Sequence, residues 1–246
     1  AFIAKLNADG EIPTSVPAPV SDFVGALRPL VEGQEPVICL IASRDVSRTF
    51  DNVQEASHQF PGADIRIIDT RVTSSLLATL ALLAAEWAAA GQNSDAIEQH
   101  IRKMIPNGRI YFLVPTLNHL AKGGRIGGAA AWLGTTLQLK PILTLAEGRV
   151  DRYQMVRTYE HGMIKMQELV LDHATRDSNN YIVVSHAGAL AEAAARHGLR
   201  RDRASRRAGR RARTGTRMSR AHRARRQLGV ARSPDRVARL RPLGGG

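Results

Sequence analysis

Two short apolar runs constrain the fold more than any other feature of this sequence. Residues 37–42 are wholly apolar, residues 65–69 repeat the β-rich pattern, and a helical spacing of apolar residues from Ser47 to Ala56 separates them. A run of this kind is typical of a strand that helices cover on both faces. Two such strands joined by a helix form a parallel pair with a right-handed crossover. The first half of the chain is therefore predicted to be α/β, with a mainly parallel sheet and flanking helices.

The second half of the chain predicts a different sheet. A turn at Glu147 and Gly148 separates two β-rich runs and indicates a hairpin, because glycine suits positive φ. Antiparallel pairing here favours a second α/β domain with a mixed or antiparallel sheet and helices. The predicted domains are residues 1–107 and 108–195. The other predicted elements are helices at 21–31, 75–90 (capped by serine), 94–105, 116–122, 129–137 and 159–175, and strands at 110–114 and 181–184.

The basic charge belongs to the end of the chain. The chain of 246 residues carries a formal charge of +13, yet residues 196–246 hold 18 Arg, no Lys and only two Asp. The preceding 195 residues are therefore slightly acidic. The segment at 196–246 sustains no helical or strand period and has no aromatic residue to stack on bases, so it is predicted to be disordered. A nucleic-acid-associated protein that binds through this Arg-rich tail is the alternative function, and salt dependence would distinguish it.

The single cysteine and the short apolar runs exclude several classes of protein. Cys39 is the one cysteine, so neither an internal disulfide nor a cysteine cage for a metal can form within the chain, and its place in an apolar run favours a core role. A reducing compartment, and hence the cytoplasm, is expected. The longest apolar stretch, at 76–90, is broken by polar residues and is too short for a membrane span.

Hydroxyl side chains gather at predicted loop and helix-start positions. Thr14 and Ser15 lie on a proline-rich loop at 13–19, Ser43 ends the first strand, and Ser47 and Thr49 begin the next helix. Open α/β sheets bind ligands at the carboxyl ends of their strands, where helix N-termini add unpaired N–H donors. The set therefore predicts a site for an anion-sized head group. The alternative interpretation is that these residues only form turns and caps.

A second motif reads Lys122, Gly123, Gly124, Arg125. Two glycines after a helix allow a sharp turn that would aim Arg125 at a carboxylate or phosphate, while a plain helix C-cap with solvated basic neighbours remains the alternative. The strand, glycine-rich loop and Lys-Ser/Thr order of a P-loop is missing, so a nucleotide cradle is not predicted.

Catalytic and metal-binding patterns are missing from the sequence. The eight histidines lack paired metal spacing, and no nucleophile elbow or Cys–His set is present, so neither catalytic residues nor a metal are predicted. A group of apolar residues instead predicts an acyl-chain pocket, for which ordinary core packing is the alternative. Its members are Ala130, Trp132, Leu133, Leu137 and Ile142.

Taken together, these segments resemble the DegV family of bacterial fatty-acid-binding proteins. The resemblance spans about residues 11–195 and is carried by residues 14–19, 43–52, 65–71 and above all 117–145. Within the last block, residues 120–126 and 139–143 are the most specific.

The resemblance implies two α/β domains with a fatty acid between them. Thr14, together with Ser15 and a serine within 43–47, would hold the carboxylate, and Arg125 would lie near the head group. In family members that work with a fatty-acid kinase, the bound carboxylate is presented to the kinase and becomes an acyl phosphate. The chain would thus be a binding protein and not the catalyst, with a fatty acid as ligand, no cofactor, and a kinase catalytic subunit as partner.

Three departures from the family pattern are expected to affect binding. The opening strand and its Asp-Ser loop are missing before Ala1, and Arg48 stands where the family motif usually has glycine. The closing glycine-rich segment has no counterpart after residue 195. The Arg-rich tail starts where that segment should, which suggests that the tail is read from a GC-rich gene in a shifted frame.

Overall fold

The computed structural model describes residues 15–134, 139–174 and 180–187, together with the strand backbone at Val237–Leu240. The described residues up to 174 belong to one compact unit, and those from 180 onward belong to a second. Thr14, Leu137 and most of the tail lie outside the described residues, and the predicted division into domains 1–107 and 108–195 stays a prediction.

The first unit begins with a parallel β-pair and its helices. Val37 lies opposite Ile65, and the register continues in parallel to Ile41 opposite Asp69, which confirms the predicted pair. The elements in chain order are helix α1 (Val20–Glu32), strand β1 (Val37–Ile41), helix α2 (Thr49–Ser57), strand β2 (Ile65–Asp69), helix α3 (Ser74–Ala89), helix α4 (Ser94–Met104) and a 3₁₀ turn at Ile105–Asn107.

Helices cover both faces of this pair. Strand side chains alternate between the two faces, so neighbouring residues of β1 pack against different helices. Cys39 packs with α1 and α2, and burial raises the pKa of its thiol. Leu40 packs with α3 and α4. All five residues of β1 stay only half-buried, since within the described residues each strand of the pair has one edge without a neighbour.

Two helix starts differ from the sequence prediction. Helix α1 begins at Val20 after an extended Pro19, one residue before the predicted Ser21. Helix α3 begins at Ser74, and the side chain of its N-cap residue, Thr73, makes no capping hydrogen bond, so the predicted serine cap is wrong. Packing of the apolar faces, rather than capping, holds these starts.

The first unit also contains an antiparallel sheet in the order β3-β4-β5, as predicted. Glu147 and Gly148 both have positive φ, 48° and 85°, as in the tight turns that suit the twist of a hairpin. The elements are strand β3 (Tyr111–Leu113), helix α5 (Asn118–Lys122), strand β4 (Lys140–Ala146), strand β5 (Arg149–Val156) and helix α6 (Tyr159–His173).

The predicted helix at 129–137 is wrong in type and extent. The segment Gly127–Trp132 forms a 3₁₀ helix, and Leu133 is already extended. The segment packs closely on β5, where a Cβ at Gly127 would collide with the carbonyl oxygen of Val150, and one at Gly128 with the carboxylate of Asp151.

The second unit contains strand β6 (Asn180–Val183), which pairs antiparallel with strand β7 (Val237–Leu240). These four residues form a strand within the segment at 196–246, and the predicted disorder of that segment stays a prediction. Backbone N–H and C=O groups of a strand edge pair with another segment whatever its side-chain period, so a periodicity test does not detect such a strand.

An ionic cluster ties β2 to α4. The Arg66 guanidinium lies 2.9 Å from Asp64 and 3.2 Å from Glu98, and it also contacts Asp95. The hydrogen bond from Arg66 lowers the pKa of Asp64 below its ordinary value of 3.8. A carboxyl group with a lowered folded-state pKa stabilises the fold above its unfolded-state pKa and loses that effect as the pH falls through the folded-state value.

Arg66→Met should therefore destabilise the protein at pH 6 by more than it does at pH 3. Urea unfolding midpoints at the two pH values measure this difference. Arg102→Met is the matched control, because among the described residues Arg102 forms an ion pair only with Glu98, at 2.8 Å on the exposed side of α4. Equal loss from Arg66→Met at both pH values would contradict the prediction.

Candidate functional site

Residues 43–49, which run from just after β1 to the first residue of α2, are here called the hydroxyl loop. It leaves the sheet at Ser43, whose backbone N–H donates to the carbonyl of Val72 at 2.8 Å. The N–H groups of Val46 and Ser47 both donate to the Ser43 carbonyl at 3.0 Å. The position of Ser47 therefore depends directly on that of Ser43.

The Ser43 hydroxyl is fully buried and already engaged. Its Oγ donates to the carbonyl of Gly148 at 2.7 Å and accepts the N–H of Asp45 at 3.3 Å. A hydroxyl has one proton to donate, and a carboxylate only accepts. Ser43 therefore has no proton for a ligand carboxylate while this bond is in place.

Ser47 and Thr49 form a half-buried hydroxyl pair. Their oxygens lie 2.8 Å apart, and the Thr49 N–H donates to Ser47 Oγ at 3.3 Å. The mutual bond uses one of their two hydroxyl protons, so one remains for another acceptor. The pair lies at the N-terminus of α2, where backbone N–H groups and the helix dipole favour negative charge. Between them, the Arg48 side chain is exposed.

The proline-rich loop ends beside α2. The Asn52 side chain donates to the carbonyl of Ala18 at 2.7 Å, which ties the loop to the helix that the hydroxyl pair begins. Ser15 is exposed. Thr14 lies outside the described residues, so its role stays a prediction.

The glycine-rich basic motif reaches the hydroxyl loop through Arg125. Helix α5 ends at Lys122, Gly123 caps it, and Gly124 turns the chain with a φ of 70°. The half-buried Arg125 donates from Nε to the carbonyl of Val46 at 3.3 Å and from Nη1 to that of Gly123 at 2.5 Å. Its fork thus contacts two loops, while Lys122 is exposed.

The predicted acyl-chain residues are not all brought together. Trp132 packs against the cluster that contains Ala129 and Leu143. Ile142 lies opposite Leu113, whose side chain faces Gly162 of α6, so Ile142 belongs to the other face of the sheet. Ala130 is exposed and Leu133 is 48% exposed, and Leu137 lies outside the described residues.

Sequence reasoning missed the contact between the hydroxyl loop and the hairpin tip, residues 147–149. Asp45 Oδ1 lies 3.4 Å from Arg149 Nε, and Asp45 Oδ2 lies 4.0 Å from Arg71 Nη2. Arg71 also donates to the Glu147 carbonyl. The Glu-Gly turn was visible in the sequence, but no local pattern says what a turn docks against.

The part of the chain that the structure describes contains neither a membrane-spanning helix nor a cluster of metal ligands. No described helix has both the length and the apolar character to cross a membrane. Across residues 15–134, 139–174 and 180–187, no three His, Cys, Asp or Glu side chains are placed to hold a metal ion.

These elements define an α/β protein with a polar loop at the carboxyl end of a parallel β-pair, the place where open α/β sheets bind ligands. A family model described as "Uncharacterised protein, DegV family" matches residues 1–208. The chain belongs to the DegV family.

Relatives in other bacteria show the same membership. A DegV domain-containing protein of Deinococcus radiodurans is 34% identical over 208 residues, which cover 84% of this chain and 70% of the relative. One from Clostridium acetobutylicum is 29% identical over 196 residues, which cover 78% of this chain and 68% of the relative. The chain spans 58% to 70% of the length of the curated relatives it matches.

Solved structures share the fold. A DegV family protein from Thermus thermophilus, described by its fatty acid binding, matches with a TM-score of 0.67 and 28% identity, over 74% of this chain and 64% of that one. A fatty acid binding DegV family protein from Streptococcus agalactiae matches with a TM-score of 0.73 and 25% identity, over 82% of this chain and 72% of that one.

Proposed function

We propose that this chain binds a long-chain fatty acid and holds its carboxylate at the hydroxyl loop. One observation carries the proposal: the Ser47–Thr49 pair, 2.8 Å apart, keeps one donor proton at the N-terminus of α2. A carboxylate needs such donors, and the helix end adds N–H groups of the same polarity. Fatty acid binding by the Thermus and Streptococcus family members supports the choice of ligand.

The hydroxyl contacts favour Ser47 over Ser43 as the serine that binds the head group. The Ser43 proton is donated to Gly148, whereas Ser47 and Thr49 share two protons and use one between them. In the proposed site, Thr14 and Ser15 of the proline-rich loop complete the donor set, and Ser43 anchors the loop. The site is also proposed to include Arg125, which donates to the Val46 carbonyl of the hydroxyl loop, and the turn that precedes it at Lys122, Gly123 and Gly124.

The acyl chain is proposed to run along the apolar side chains near Trp132. Leu133 is 48% exposed and Ala130 is also exposed, so both offer apolar surface for a ligand to cover. The proposed path of the acyl chain includes Leu137 because the sequence predicts it there. The path leaves out Ile142, which lies on the face of the sheet that packs against α6. Each methylene removed from water contributes ~0.8 kcal/mol, so a long chain supplies most of the affinity.

The proposed role is presentation of the carboxylate to a fatty-acid kinase, which would form the acyl phosphate. Arg48, which stands between Ser47 and Thr49 in the chain, is exposed, so a second protein has access to the proposed head-group site. The carboxylate oxygen would itself attack the terminal phosphorus of a nucleoside triphosphate held by the kinase, and the nucleoside diphosphate would leave. The binding protein holds and orients the carboxylate.

Native mass spectrometry of gently purified protein tests the proposal. We expect a bound species whose mass is that of a long-chain fatty acid and which is released on denaturation. Added palmitate should occupy protein that purifies empty, with one molecule per chain. A folded sample that neither carries lipid nor takes up palmitate would overturn the proposed function.

A further inference from the structure

The hairpin tip contacts the hydroxyl loop at Ser43 and Asp45. Gly148 accepts the buried hydroxyl of Ser43 at 2.7 Å, across 105 residues of chain. Arg149 lies 3.4 Å from Asp45. The antiparallel sheet thus contacts the hydroxyl loop through a hydrogen bond at Ser43 and an ion pair at Asp45.

The contact at Gly148 is close enough to require glycine. Its φ is +85°, a conformation that side chains with a Cβ rarely adopt. A Cβ built there would lie 2.5 Å from Ser43 Oγ and 3.3 Å from Asp45 Oδ2. Any larger residue must therefore displace the Ser43 hydroxyl, either by rotating it out of its bond to the Gly148 carbonyl or by pushing the hydroxyl loop away from the hairpin tip.

The hydroxyl loop transmits such a displacement to the proposed head-group site. The Ser43 carbonyl accepts the N–H of Ser47 at 3.0 Å, so a shift of Ser43 moves Ser47 and its bond to Thr49. We infer that Gly148 and Ser43 are positioning residues, through which the hairpin tip holds the Ser47–Thr49 pair in the geometry that binds the carboxylate. This inference rests on the proposed function.

Gly148→Ala tests the inference, with Gly62→Ala as the matched control. Gly62 has a φ of +83°, but a Cβ there meets nothing within 4 Å. Both variants suffer the same backbone strain, and only one disturbs the hydroxyl loop. Palmitate affinity, measured by calorimetry well below both melting temperatures, should fall about 10-fold in Gly148→Ala and less than about 2-fold in Gly62→Ala.

A milder pair covers the case in which Gly148→Ala does not fold. Ser43→Ala removes the buried donor, while Ser57→Ala removes an equivalent 2.7 Å hydroxyl–carbonyl bond that is exposed and local to α2. We expect Ser43→Ala to weaken palmitate binding by about 5-fold and Ser57→Ala to leave it unchanged. In a Ser47→Ala background, the effect of Ser43→Ala should vanish, because the group it positions is gone.

The outcomes separate the two claims. If the wild type binds palmitate and Ser43→Ala loses no more affinity for palmitate than Ser57→Ala does, the positioning role is overturned while the proposed function stands. The same conclusion follows if Ser43→Ala lowers the melting temperature but its effect on affinity is additive with that of Ser47→Ala. If the wild type binds no palmitate, both claims fail.

Discussion

Ser47→Ala combined with Thr49→Val should lower the affinity for palmitate by about 100-fold, because it removes every hydroxyl proton of the proposed pair. The two oxygens lie 2.8 Å apart and form their own bond, so removing both leaves neither hydroxyl unpaired, and only the Thr49 N–H at the helix N-terminus loses an acceptor. Hydrogen bonds to a charged acceptor are stronger than neutral ones, which sets the size of the loss. Titration calorimetry on lipid-free protein measures it.

The control for this pair is Ser57→Ala on the same helix. Ser57 is half-buried at the other end of α2, where its hydroxyl donates to the Gln54 carbonyl at 2.7 Å. Its affinity for palmitate should equal that of the wild type. If the double variant stays folded and binds palmitate within about 3-fold of the wild type, the head-group assignment to Ser47 and Thr49 is wrong.

Leu80→Ala should cost about 2 to 5 kcal/mol of unfolding free energy, the range for emptying a well-packed leucine site. Leu80 is 1% exposed and packs in the cluster with Ile68, Ile97 and Ile101, where α3 and α4 cover one face of the parallel pair. These three neighbours belong to two other elements, β2 and α4, and cannot all move in to fill the space. Urea unfolding followed by circular dichroism measures the loss.

Leu82, two residues further along the same helix, provides the matched comparison. It is 49% exposed, so Leu82→Ala removes little buried surface and gains a better helix former. Its unfolding free energy should change by less than about 0.5 kcal/mol. Equal losses of unfolding free energy from the two substitutions would mean that the Leu80 face of α3 is not the buried one.

The strands and the hairpin were predictable because their signals are local. The apolar run that contains Cys39 became β1, and the Glu147–Gly148 turn appeared where positive φ was expected. The segment after Gly127 was predicted as an ordinary helix and instead winds as a 3₁₀ helix. No pattern within that segment shows that β5, which begins at Arg149, packs directly against it.

The composition of the head-group site followed from residue types, whereas the roles within it did not. Short hydroxyl residues after an apolar strand pointed to the loop at the carboxyl end of a parallel sheet, since backbone geometry brings such loops to one edge. Whether Ser43 or Ser47 keeps a donor proton depends on the Gly148 carbonyl, 105 residues away from Ser43. Hydrogen bonds form between groups that folding brings within about 3 Å, so residue order alone leaves their partners open.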